Sequence, residues 1–103
     1  MGKLVIIRRV FKERLNPVYH VSTNDFVTPS FYLEINSREN KLSFFLESDM
    51  GNPIYIMDLN DPEKIVTEED VYPLNRGLIW TAFGKVVKAI EKNEFPEGLD
   101  YAA

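Results

Sequence analysis

The chain contains no cysteine. Disulfide bonds, zinc–thiolate centres and cysteine nucleophiles are therefore excluded. Histidine occurs once, as His20. Gly51, Gly77 and Gly84 are isolated, so there is no glycine-rich loop to cradle a phosphate. Long apolar runs are also missing. The first, Leu4–Ile7, is too short for a signal-peptide core, and no small-residue cleavage site follows it. No stretch approaches the length that spans a bilayer. The resulting expectation is a cytoplasmic protein without membrane contact.

What is present fits a folded domain. The hydrophobic fraction is 45%, with seven Phe, five Tyr and one Trp among 103 residues. That is enough for one core and too much for general disorder. We expect a single α+β domain over residues 1–103, with 96–103 as a fraying tail. The net charge of −4 is unevenly placed. Lys3, Arg8, Arg9, Lys12 and Arg14 crowd the first 15 residues against Glu13 alone. Asp58, Asp61, Glu63, Glu68, Glu69 and Asp70 crowd residues 58–70 against Lys64 alone. The plainer explanation is two regions that attract each other or solvate the fold; the sharper one is a charged recognition surface.

Strand signals dominate the first part. Lys3–Lys12 reads as a strand with Val5, Ile7 and Phe11 on one side, interrupted by Arg9, and an early part buried on both faces. Val18–Ser22 is a short second strand after the Asn16-Pro17 turn. Phe31–Asn36 and Lys41–Ser48 alternate apolar and polar residues around the polar loop Ser37–Asn40. If Asn36 and Lys41 flank that loop, Ile35 faces Leu42, Leu33 faces Phe44, and Phe31 faces Leu46. A second turn, Asp49–Asn52, leads through Pro53 to a strand with Tyr55, Met57 and Leu59 on the core side. Tyr32, Phe45 and Ile56 then form an apolar row on the opposite face.

Two helix signals lie beyond. Asp61-Pro62-Glu63 and Thr67–Asp70 carry N-cap and capping-box character, which predicts an acidic connector of one or two helical turns ended by Tyr72-Pro73. Leu78–Lys92 is the main helix. Ile79, Phe83, Val86 and Ile90 make its apolar stripe, flanked by Trp80 and Val87, and Thr81, Lys85, Lys88 and Lys92 make its wet face. Gly84 in its interior costs about 1 kcal/mol relative to alanine, which predicts a close approach to the sheet or the indole. The fold expectation is an antiparallel sheet of four to five strands with one C-terminal helix packed on one face.

The chemistry on offer is thin. His20, Ser22 and Asp25 form a formal Ser–His–Asp set, but no nucleophile elbow surrounds any serine. A strand histidine is more simply a polar tip on a packed residue. Asp58-x-Asn60 with Glu69 matches part of a calcium loop, yet Pro62 stands at a ligand position and Glu63 replaces the required glycine. Glu68, Glu69 and Asp70 are consecutive and cannot all converge on one cleft. Arg8, Lys12 and Arg14, with Tyr19 and Phe11 to stack, are the only nucleic-acid feature, set against the acidic balance. Pairing of this basic strand end with the acidic connector explains it more simply.

The leading expectation is thus a non-catalytic protein-binding module, with no cofactor and no metal. Its most concrete form is an acidic inhibitor or immunity-type protein for a basic partner such as a nuclease toxin. Asp61, Glu63, Glu68, Glu69 and Asp70 would form the contact surface, with Tyr32, Phe45 and Ile56 as the apolar alternative. The alternatives are a homodimeric structural or accessory protein joined through the outer sheet face, and a small enzyme or ligand-binding domain using His20 beside the loop Thr23–Ser30.

Overall fold

A computed structural model describes residues 4–25, 27–61, 64–99 and, for the backbone, 101–102. The chain runs β1 (Leu4–Val10), β2 (Val18–Thr23), β3 (Phe31–Asn36), β4 (Lys41–Leu46), β5 (Tyr55–Asp58), α1 (Glu68–Val71), α2 (Arg76–Lys92) and β6 (Tyr101–Ala102). The strands form one sheet in the order β5-β4-β3-β2-β1-β6. The first five make an antiparallel meander, so the expected α+β layout holds; the two-residue β6 adds to the far edge of β1.

Register follows the alternation of the sequence. Ile35 pairs with Leu42, Leu33 with Phe44, Phe31 with Leu46 and Tyr32 with Phe45. Asn36 closes the hairpin loop by accepting from the Glu39 amide at 3.1 Å, and Asn40 adopts a left-handed φ of 54°, which asparagine tolerates well. β5 continues the pattern, with Met57 opposite Leu42 and Ile56 opposite Ser43. One face of the sheet therefore collects Ile7, Tyr19, Val21, Phe31, Leu33 and Phe44, all fully buried. At about 1.5–3 kcal/mol for each large side chain, this face dominates the stability of the fold.

α2 and the connector cover that face. The helix starts at Asn75, whose side chain accepts from the Leu78 amide at 2.9 Å, and ends at Asn93 in the left-handed region with φ 52°. Its buried stripe is Leu78, Ile79, Ala82, Val86 and Ala89. This corrects the expected stripe: Phe83 and Ile90 are only partly buried, while the small side chains of Ala82 and Ala89 are buried. The close approach expected at Gly84 is also absent, because a side chain built there would meet nothing within 4 Å. Val66, Val71 and Leu74 bring the connector into the same core.

Two expectations about the N-terminal strand change. Leu4 is 38% exposed, so the start of β1 is buried on one face only. Phe11 does not continue the core side, because the strand ends at Val10 and Phe11 takes a φ of 50°. That left-handed step turns its ring onto the opposite face, where it lies 5.3 Å from the ring of Tyr32. The segment after α2 runs beside β1: Arg9 N donates to Glu97 O at 2.7 Å and Leu99 N to Ile7 O at 2.9 Å. Arg9, which interrupts the apolar alternation, reaches the Phe95 carbonyl at 3.0 Å. The Tyr19 hydroxyl donates to Pro96 O at 2.7 Å.

Candidate partner-binding surface

The acidic turn is built by local hydrogen bonds. Thr67 caps α1, its hydroxyl accepting from the Asp70 amide at 3.3 Å. The Asp70 carboxylate in return accepts from the Thr67 amide at 2.9 Å and the Thr67 hydroxyl at 3.0 Å. Those two bonds hold the Asp70 carboxyl below the usual carboxylate range, with Lys64 helping. Asp70 is therefore committed to the fold, and it raises the phenol of the half-buried Tyr55 on β5 in addition to the larger effect of burial. Glu68 and Glu69 remain, exposed and without an ion pair among the described residues.

The other members of the acidic set separate from these. Asp61 is exposed in the strand-end turn that follows β5, its amide bonded to Asp58 O at 3.2 Å. No helix begins there among the described residues; Pro62 and Glu63 lie outside them. What the structure adds is an apolar neighbour. Val27 and Tyr72, 89% and 79% exposed, line a groove of about 350 Å³ together with Pro29, Glu68, Pro73 and Arg76. The sequence reading missed both. Tyr72 was legible only as a helix stop before Pro73, although an aromatic residue amid acids and outside any apolar period was itself the available signal.

The outer sheet face is less open than the alternation implies. Phe45 is only 6% exposed and Ile56 is 50% exposed. Tyr32 is flanked by Phe11 and by His20, whose rings lie at 5.3 and 5.1 Å. Arg14 from the β1–β2 turn reaches Glu34 at 3.7 Å. The protein's own chain therefore covers the centre of the row and leaves Ile56 as its accessible end.

The remaining sequence candidates do not assemble. His20 Nε2 lies 3.1 Å from Glu47 Oε2, while Asp25 binds the Val27 and Thr28 amides and the Thr28 hydroxyl within its own loop. The set His20, Ser22 and Asp25 thus shares no site. Lys12 pairs with Glu97 and Arg14 with Glu34, so among the described residues these two side chains pair elsewhere than with the acidic connector. Lys12 and Arg14 follow the end of β1 rather than sharing its face with Arg8. Tyr19 is fully buried in the core and cannot stack on a base. Among the described residues no three His, Asp or Glu side chains converge as a metal site, and no helix is long and apolar enough to cross a membrane. No family model matches the chain, and no curated protein or solved structure is significantly similar to it.

Proposed function

We propose that this protein is a non-catalytic cytoplasmic binding module that holds a basic partner against its acidic turn, as an inhibitor or immunity-type protein for a nuclease would. One observation carries the reading: Glu68 and Glu69 are exposed and have no ion pair among the described residues, and Glu68 lines a groove with the exposed ring of Tyr72 and the exposed Val27. An aromatic anchor rimmed by charge is the usual anatomy of a protein contact. Carboxylates at its edge accelerate encounter with a positive surface of the kind that otherwise meets a phosphate backbone. The capping box contributes rigidity, since it fixes the short helix that carries both glutamates.

The test is inhibition and binding kinetics against a panel of basic ribonuclease and deoxyribonuclease domains. At least one should be bound, with an association rate that falls as salt is added. Glu68→Lys with Glu69→Lys should slow association at least tenfold and leave the melting temperature unchanged, and Tyr72→Ala should speed dissociation. Association indifferent to the charge reversal removes this reading.

A further inference from the structure

We propose that the outward side of α2 is a second docking groove, one that takes an acidic segment of another protein. Two hollows of about 270 and 250 Å³ lie along the helix and share Lys85 and Lys88. Lys92 lines the second of them, so ammonium groups recur at spacings of three and four and stand on one side of the helix. The floor is apolar or small: Trp80 and Gly84 in one hollow, Ala89 and Leu99 in the other. Among the described residues Glu94 is the one carboxylate on the lining. The chain as a whole carries −4, so this positive strip is local, and it selects an occupant of opposite charge.

Gly84 supplies the independent observation. It sits at the middle of a seventeen-residue helix, where glycine is the least favourable residue after proline. Nothing inside the molecule needs it, because an added side chain would meet no atom within 4 Å. Its missing side chain opens the hollow beside Trp80 outward instead. An acidic peptide fits both halves of this description: its carboxylates meet Lys88 and Lys92, and its apolar side chains meet Trp80 and Leu99. A nucleic acid fits less well, since its phosphates could meet the lysines but it carries no aliphatic side chain to meet Leu99.

Trp80 is the only tryptophan in the chain, so its emission reports on the groove directly. The full-length protein is titrated with a fluorescein-labelled peptide of alternating glutamate and leucine, read by Trp80 emission and by anisotropy. Saturable binding is expected, weakened at least tenfold by Lys88→Glu with Lys92→Glu. Gly84→Gln, which restores a good helix former and fills the hollow, should raise the melting temperature while weakening binding by a similar factor. Glu68→Lys with Glu69→Lys should leave this binding intact, which keeps it distinct from the acidic surface. No saturable response, or equal binding by the groove variants, overturns the proposal. So does tighter binding of a single-stranded oligonucleotide than of the peptide. A peptide-independent rise in mass that is abolished by reversing Glu68 and Glu69 assigns the groove to a second copy of the chain, and overturns it too.

Discussion

The phenol of Tyr19 is the point at which the sheet grips the chain after α2. It is fully buried, yet its hydroxyl reaches the Pro96 carbonyl at 2.7 Å. Burial raises its pKa, with Arg9 pulling weakly the other way, so the group that donates this bond stays protonated across the physiological range. Arg9 adds the bond to the Phe95 carbonyl from the neighbouring strand. These two side chains hold the segment that a sequence reading leaves as a loose end. Tyr19→Phe should keep the core volume and leave the Pro96 carbonyl unpaired, at a cost of about 1 kcal/mol. Thermal melting would give the loss, and amide exchange would locate it, with faster exchange at Leu99 and Arg9 than at Leu33. Uniform exchange across the sheet would contradict the anchoring role.

Among the elements, α1 has little packing to support it, because only Val71 of its four residues is buried. A single turn is too short to persist on propensity. It holds because Thr67 and Asp70 satisfy each other's amides, which makes it sensitive to acid. The folded Asp70 carboxyl is held below its ordinary value by those bonds, so between the two values the folded chain binds fewer protons than the unfolded one. The stabilisation is therefore present above the unfolded pKa near about 3.9 and is lost as pH falls through the lower folded value. Glu97, lowered by its bond to Lys12, acts in the same direction. Melting curves between pH 6 and pH 2 should fall less steeply for Asp70→Asn than for the parent; identical slopes would show that the box contributes nothing. This element was legible in the sequence because a capping box is a local pattern, as was the β3–β4 register, set by alternation and loop length. The burial of Ala82 and Ala89 was not legible, because alanine suits either face and only the sheet decides. The turning of Phe11 was hidden for a similar reason: strand parity predicts its side only while the strand lasts, and the left-handed step ends it.

For the molecule as a whole, the two sides of the sheet are unlike. The connector's core residues Val66, Val71 and Leu74 lie on the helix-covered side of the sheet, whereas Tyr32, Phe45 and Ile56 lie on the other. The acidic and apolar candidates of the sequence are thus not one composite surface. Within the apolar row the residues also differ in kind. Phe45 is 6% exposed and Ile56 is 50% exposed, so the same substitution at each separates folding from association. Phe45→Glu removes a buried ring and buries a carboxylate, which should destabilise the chain by at least about 3 kcal/mol. Ile56→Glu changes a half-exposed position and should stay within about 0.5 kcal/mol of the parent. Light scattering over a concentration series then tests the homodimer alternative. If the outer face joins two copies, Ile56→Glu converts a dimer to a monomer at an unchanged melting temperature. A parent that is monomeric throughout, or a dimer indifferent to Ile56→Glu, leaves that face without a role in self-association.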